Sequence, residues 1–251
     1  MTTRCDCAQA QLYESGFLDD VTGAGMRPGG LALTERGFRC SSLRTGARVL
    51  DVGCGTGITV DHARRLHALE AIGIDASRAV LRRGLRHRPG AVLMCAAATD
   101  LPLRSATADA VVMECSLSAM PAKERVLAEC SRVLVRGGRL LLTDLYARNP
   151  LPAGARNSVG ACCAGILTRD ELERALEGAG LAVDLWEDHS RSLTELLGSV
   201  VLRHGSLAPF WERQGIEPEA LLRARETLRQ VRPGYCLVLA TKPGEHKEEL
   251  P

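Results

Sequence analysis

The feature that most constrains this chain is a glycine-rich turn that directly follows a short apolar strand. Residues 46–57 read Gly-Ala-Arg-Val-Leu-Asp-Val-Gly-Cys-Gly-Thr-Gly. The run from Val49 to Val52 predicts the strand, and apolar residues at helical spacing between Val60 and Leu69 predict a helix after the turn. Glycine suits such a turn because the backbone needs angles that a side chain opposes, and because a ligand can lie against bare amides at the helix start. A strand, a glycine turn and a helix together predict a cradle for a nucleotide or a cofactor.

Two acidic residues narrow the kind of cradle. Asp51 lies two residues before Gly53, and Asp75 ends a second apolar run that begins at Ala71. A carboxylate at the tip of the second strand usually holds two ribose hydroxyls. The spacing G-x-G-x-G differs from the G-x-G-x-x-G of dinucleotide-binding folds. An NAD-type domain and a degenerate turn without a ligand are therefore the alternatives to a different nucleoside cofactor.

The string from Val49 to Gly57 resembles motif I of the class I S-adenosylmethionine-dependent methyltransferases. The stretch from Glu129 to Leu142 resembles the ubiquinone-biosynthesis-like branch of the same family. This resemblance implies an α/β fold, a Rossmann-like doubly wound sheet of seven strands with the last strand antiparallel. It also implies S-adenosylmethionine as the cofactor and methyl transfer to a small molecule as the function.

The resemblance also assigns cofactor-binding residues. They lie in and after the glycine turn, at the tip of strand two, after strand three and at the tip of strand four: Asp51, Gly53, Cys54, Gly55, Asp75, Ala76, Ala98, Thr99 and Glu114. The chain departs from the family pattern at Ala97, where relatives carry an aspartate that contacts the adenine amino group. Asp100 and Thr99 are the candidates to replace that contact.

Candidate catalytic residues stand at strand tips. Methyl transfer from a sulfonium is an in-line displacement in which the enzyme mainly supplies alignment, and a base is needed only when the nucleophile carries a proton. Glu114, Asp144 and Tyr146 are the candidates, and no spacing decides among them. Asp188 and His189 are either the end of a surface strand or a further pair of base candidates.

The cysteines give a second hypothesis about the acceptor. The chain has ten cysteines and no C-x-x-C spacing, so no zinc site is predicted. The stretch that begins at Cys163 resembles a region of the arsenite methyltransferases in which a cysteine holds the metalloid. With its neighbour Cys162 it is a candidate substrate residue. Cys40, Cys5 or Cys7 would complete a trithiolate site, and ordinary loop cysteines are the alternative.

Composition limits the partners of the chain. Its 251 residues suit one large α/β domain, and a net charge of +2 gives no sign of a nucleic-acid surface. No apolar run approaches the ~18 residues of a membrane span, and the N-terminus lacks an apolar signal core. We therefore expect a cytoplasmic protein without nucleic-acid or membrane partners, and a homodimer is a further expectation.

The pattern of helices predicts three regions. Residues 1–45 form an N-terminal helical lid in which Arg27 is a candidate substrate residue. Residues 46–241 form the methyltransferase domain, with a helical insertion at about 190–232 before the last strand, and 242–251 form a tail. A non-catalytic S-adenosylmethionine-binding protein is the alternative from another class, because Ala97 replaces the aspartate and no base is evident.

Overall fold

The chain builds one mixed sheet with helices packed on both faces. The computed structural model describes residues 13–17, 25, 27–155, 159–160 and 163–244. The strands are β1 (Arg48–Val52), β2 (Glu70–Asp75), β3 (Leu93–Cys95), β4 (Ala108–Glu114), β5 (Leu134–Ala147), β6 (Leu167–Thr168), β7 (Ala182–Asp188) and β8 (Pro233–Thr241). The helices are α1 (Gly30–Ser41), α2 (Ile58–His67), α3 (Arg78–His87), α4 (Lys123–Val133), α5 (Arg169–Gly178), α6 (Ser190–His204), α7 (Ala208–Glu212), a 3₁₀ helix (Pro218–Ala220) and α8 (Leu221–Val231).

The strand order is β3-β2-β1-β4-β5-β8-β7, and the two-residue β6 pairs with β5. Strands β1 to β5 are parallel, whereas β8 runs antiparallel to both β5 and β7. This confirms the predicted doubly wound sheet with an antiparallel last strand, and β6 is an addition that the sequence did not predict. The strand order reverses at β1, between β2 and β4, so a ligand crevice is expected at the carboxyl end of β1.

Side-chain alternation along the strands divides the core between the two faces. One face packs Leu50, Met113 and Leu142 against α4 and α5. The other face packs Val112 and Leu141 against α1 and α2. Parallel strands that are covered on both sides are apolar along their whole length, which is why β1 and β4 contain almost no exposed residue.

Local sequence signals fix the starts of two helices. Ser77 caps α3, its hydroxyl accepting a hydrogen bond from Val80 N at 3.2 Å. Thr168 and Glu171 form a reciprocal capping box at the start of α5.

The helices between β7 and β8 lie beyond the carboxyl edge of the sheet. Phe17 packs with Val200 of α6 and Phe210 of α7 in a third apolar cluster, so residues 13–17 contact this helical segment. Phe17 also stacks on the ring of His204 with centroids 4.3 Å apart. Within the described ranges, no helix combines the length and the apolarity that a membrane crossing requires.

Candidate functional site

The glycine turn follows β1 and is tied to the neighbouring strand. The backbone amides of Gly53 and Cys54 both donate to Ile74 O, at 2.8 and 3.0 Å. Gly53 has φ +78°, and a Cβ there would stand 2.6 Å from the Cβ of Ser116. Only glycine fits such a position without strain, so the turn stays free of side chains where β1 and β4 end. Cys54 is buried within the turn.

Asp75 stands at the tip of β2 beside the turn. Its carboxylate accepts hydrogen bonds from Gly55 N at 2.9 Å and from Ser77 N at 2.8 Å. Burial raises the pKa of Asp75, and these two backbone hydrogen bonds oppose that rise. The exposed Ala76 follows directly. The carboxylate is thus fixed at the edge of the crevice, the position that a ribose-binding acid requires.

Asp51 lies inside the sheet rather than at its rim. Its side chain is buried on the face covered by α1 and α2. Desolvation raises the pKa of Asp51 well above its ordinary value, the charge of Glu114 raises it further, and Arg27 counteracts both. Asp51 is therefore part of a buried charged group beneath the glycine turn.

A buried polar network joins four segments of the chain at the tip of β4. Arg27 Nη2 lies 2.9 Å from Glu114 Oε2, and these side chains are only 8% and 4% exposed. Thr34 of α1 donates to Glu114 Oε1 at 2.7 Å, and Thr59 of α2 donates to Oε2 at 2.5 Å. Arg27 Nη2 also donates to both threonine hydroxyls. The network holds α1 and the segment before it against the start of α2.

Two buried atoms beside the turn have no hydrogen-bond partner among the described residues: Arg27 Nε and Thr56 Oγ1. A buried donor without a partner costs about 1–3 kcal/mol, and native structures rarely leave one without a reason. The methionine part of S-adenosylmethionine carries a carboxylate and an ammonium group, which suit these two atoms. The residues present therefore fit the cofactor that motif I implies.

The loop after β3 approaches the tip of β2. Ala96 N donates to Asp75 O at 3.2 Å, and Arg125 of α4 donates to Thr99 O at 2.8 Å. Ala97 and Asp100 are exposed on this loop, and Ala98 is half-buried. The predicted adenine-side residues are therefore brought near Asp75, although Ala97 offers no polar side chain there.

Asp144 and Tyr146 lie on the opposite face of β5 from the buried network. Tyr146 packs in the core that α4 and α5 cover. Asp144 precedes it by two residues on the same strand, so its side chain points to the same face. Asp144 accepts hydrogen bonds from the amide and the hydroxyl of Ser118 and from Leu145 N. Burial raises the pKa of Asp144, and these bonds oppose the rise. The two candidates are thus separated by the sheet from Glu114.

The Tyr146 hydroxyl donates to Asp188 Oδ2 at 2.6 Å, and Arg148 Nη2 donates to the same oxygen at 2.9 Å. Burial alone would raise the pKa of Asp188, but hydrogen bonds from Ser190, Tyr146 and Arg148 lower it far below its ordinary value. His189 pairs with Glu187 instead, its Nε2 lying 2.9 Å from Oε2. These residues form a polar cluster at the end of β7.

A cavity of about 280 Å³ opens beside the tip of β4, between the sheet edge and the helices α6 to α8. Its wall is mainly apolar and includes Leu145, Leu193, Leu197, Phe210 and Trp211. Arg148, Ser190 and Tyr13 supply polar groups at this wall. Pockets of this kind, apolar with a few placed polar groups, are typical of small-molecule sites.

Two thiols line the same cavity, Cys115 and Cys163. Burial raises the pKa of the Cys115 thiol, and the charge of Asp144 adds to the rise. Cys40 lies on α1 and is not part of this wall. Cys162, Cys5 and Cys7 lie outside the described residues. Arg27 also stays off the wall, since it binds Glu114, whereas its neighbour Pro28 contributes to it.

Sequence reasoning missed several residues of this site. Thr34 and Thr59 gave no signal, because threonine on a helix is ordinary until its partner across the fold is known. Arg148 and Trp211 were equally undetected as cavity residues. The one available signal for the cavity was Arg148 itself, a single arginine directly after the end of strand five.

Comparisons with known proteins agree with this geometry. A family model described as a methyltransferase domain matches residues 50–142. A 27-O-demethylrifamycin SV methyltransferase of Amycolatopsis mediterranei is 30% identical over 250 residues, covering 91% of this chain and 89% of that protein.

Two solved structures share the fold. The [4+2]-cyclase SpnF superposes with a TM-score of 0.70 at 24% identity, covering 94% of this chain and 96% of that one. A phosphoethanolamine N-methyltransferase 2 of Haemonchus contortus, solved in complex with S-adenosyl-L-methionine, superposes with a TM-score of 0.73 at 18% identity, covering 92% and 57%.

These findings confirm the predictions of fold, enzyme class and cofactor, and of methyl transfer to a small molecule. The matched model spans the glycine turn and strands β2 to β4, and the relative spans nearly the whole chain. The non-catalytic alternative is thereby set aside. This chain belongs to the class I S-adenosylmethionine-dependent methyltransferases.

Proposed function

We propose that the enzyme transfers its methyl group to a hydroxyl oxygen of a largely apolar small molecule. The observation that carries the proposal is the apolar cavity beside the tip of β4, where Cys115 lines the cavity and the next residue, Ser116, lies against Gly53 of the glycine turn. Such a wall binds a ligand chiefly by removing apolar surface from water. Oxygen is favoured as the acceptor because the relative from Amycolatopsis is named for an O-demethylated substrate.

The cofactor-binding residues that we propose follow from the crevice. Asp75 holds the ribose hydroxyls, and the turn from Gly53 to Gly57 passes beneath the methionine part. Arg27 Nε, buried without a partner among the described residues, binds the methionine carboxylate. Cys54, Ala76, Ala98 and Thr99 border the nucleoside. S-Adenosylmethionine supplies an already activated methyl group, so the chain's task is to align the acceptor and to exclude water.

We propose that no side chain of the enzyme acts as a strong general base. The described residues of the cavity wall include no carboxylate and no imidazole. Glu114 has both oxygens engaged by Arg27 and two threonines, so its role is to position Arg27. Asp144 and Tyr146 lie on the other face of the sheet. We therefore expect an acceptor with an acidic hydroxyl, such as a phenol or an enol, whose rate of methylation rises with pH through the pKa of the acceptor itself.

A thiol-bound metalloid is the second candidate acceptor. The observation in its favour is that Cys115 and Cys163 line one cavity, and thiolates prefer soft centres. Against it stands the raised pKa of Cys115, because burial disfavours the thiolate that would bind the metalloid. Cys162 is a further candidate ligand outside the described residues.

The test is a product assay with the full chain, S-adenosylmethionine and phenols or alcohols on matched apolar skeletons. A methyl ether formed together with S-adenosylhomocysteine supports the proposal, with the phenols reacting faster. Cofactor binding without S-adenosylhomocysteine from any acceptor would refute it. Product formation that depends on arsenite and is lost in Cys163→Ser would move the assignment to the metalloid.

Calorimetry tests the cofactor site separately. Asp75→Ala should weaken cofactor binding by about 1–3 kcal/mol, since a charge-assisted pair of hydrogen bonds is lost. Asp184→Ala is the matched control, because Asp184 is an exposed aspartate of β7 far along the strand order from β2. Equal affinities in the two variants would contradict the role of Asp75.

The region boundaries belong to the same proposal. Residues 1–45 act as a lid over the cofactor, residues 46–241 form the catalytic domain with an insertion at about 190–232, and 242–251 form a tail. Contacts of Arg83 with the carbonyls of Tyr13 and Glu14 support the lid. A cytoplasmic location, a homodimer and the lack of nucleic-acid or membrane partners remain predictions of the sequence.

A further inference from the structure

Three side chains of types that can bind a metal ion meet between α1 and α2. Glu35 projects from α1, and His62 and His67 project from α2. Their donor atoms all lie within 4.8 Å of one another. Among the described residues, this is the one group of three or more histidine, cysteine or acidic side chains with that spacing.

The atoms converge on one point. His67 Nε2 lies 2.7 Å from Glu35 Oε1, and His62 Nε2 contacts the same oxygen. Ligands of a tetrahedral Zn²⁺ stand about 2.0–2.2 Å from the ion and hence roughly 3.4 Å from one another. A half-exposed glutamate reaches that spacing by a rotation of its own side chain, because the helices that hold the three residues are already in place.

We propose that Glu35, His62 and His67 bind a divalent transition-metal ion, with Zn²⁺ the best match. Two imidazole nitrogens and one carboxylate oxygen are ligands that Zn²⁺ accepts, with water in the fourth position. The side chains of Glu35 and His67 are each 29% exposed and that of His62 is 11% exposed, which leaves an entry path and room for the water.

The position of the site gives the ion a structural consequence. Thr34 precedes Glu35 on α1, and Thr59 lies one turn before His62 on α2. Both threonines bind Glu114 at the cofactor crevice. An ion that joins α1 to α2 would therefore hold α1 against the wall of the crevice. This inference is independent of the methyl acceptor.

Titration of the full chain with Co²⁺ tests the site, because tetrahedral cobalt absorbs visible light and thiolate ligands add charge-transfer bands in the near ultraviolet. We expect one equivalent to give the visible bands without the thiolate bands. His67→Gln should weaken this binding by at least about tenfold, since losing even an outer-shell partner costs 10–100-fold. His87→Gln is the matched control, because His87 is exposed on α3 outside the cluster.

A second readout separates loss of binding from loss of folding. Zn²⁺ should raise the midpoint of thermal unfolding of the wild type and of His87→Gln, because an ion that binds only the folded state stabilises it. It should raise the midpoint of a folded His67→Gln variant clearly less, because weaker binding stabilises the folded state less. Thiolate bands, equal affinity in both variants, or no visible band at all would overturn the proposal.

Discussion

Replacing Arg27 by methionine would leave the Glu114 carboxylate buried with two threonine hydroxyls and no cation. Both partners of this ion pair are nearly inaccessible to water, with side chains 8% and 4% exposed. Removing one member of a buried pair costs about 3–5 kcal/mol, because the other charge remains without compensation. Hydrogen bonds from Thr34 and Thr59 persist, so we expect the lower end of that range.

A loss of about 3 kcal/mol corresponds to a fall in the unfolding temperature of roughly 6–12 °C for a chain of this size. Urea unfolding of Arg27→Met, Glu114→Gln and the double variant would measure it. The double variant should lose clearly less than the sum of the single losses, since neither charge is then left alone.

The control is the exposed pair of Arg191 and Glu195, whose side chains are 92% and 62% exposed. Arg191→Met should change the free energy of unfolding by no more than about 0.5 kcal/mol. Two outcomes would refute the reasoning. One is a loss below about 1 kcal/mol in both single variants, and the other is additive losses in the double variant.

Three further predictions concern the crevice, the cavity and the dependence on pH. Gly53→Ala should weaken cofactor binding and stability together, because a Cβ there would stand 2.6 Å from the nearest side-chain carbon. Gly205→Ala, with the same φ of +78° but open space at its Cβ, should show only the strain of about 1–2 kcal/mol and unchanged cofactor binding. Trp211→Ala should raise the KM for an apolar acceptor and leave cofactor affinity unchanged, because Trp211 lines the cavity. Trp186→Ala is the control and should not alter that KM, since the Trp186 ring packs on Tyr146 away from the cavity. Equal KM values in the two variants would contradict the cavity assignment. Asp188 has a pKa in the folded state below its value in the unfolded chain, so it stabilises the fold above about pH 4 and this contribution is lost as the pH falls further. Unfolding midpoints at pH 5 and pH 3 should therefore differ less in Asp188→Asn than in the wild type, and an equal difference would count against the lowered pKa.

The sequence predicted the elements that depend on local pattern. The glycine turn and the acidic tip of β2 are read from neighbouring residues, and the structure places them as expected. The caps at Ser77 and Thr168 are equally local features. The limits of a strand depend less on local pattern. β5 extends to Ala147 because its pairing with β8 continues to that residue.

The candidate bases show where local pattern stops being informative. Glu114 and Asp144 were both expected at strand tips and looked equivalent in sequence. The structure gives them different faces and different partners, since one binds Arg27 and the other binds Ser118. Those partners lie 87 and 26 residues away from them along the chain. Such pairings depend on how the helices cover the sheet, which no short window of sequence contains.

The sequence by itself therefore determined the family, the cofactor, and the glycine turn and Asp75 at the carboxyl ends of β1 and β2. These follow from backbone geometry that a few glycines and one aspartate impose locally. Only the tertiary structure decided which charges are neutralised, which thiols share a cavity, and that a glutamate and two histidines from separate helices meet. The physical reason is that contacts between distant segments arise when each helix buries its own apolar face, and the polar side chains are then brought together by that packing.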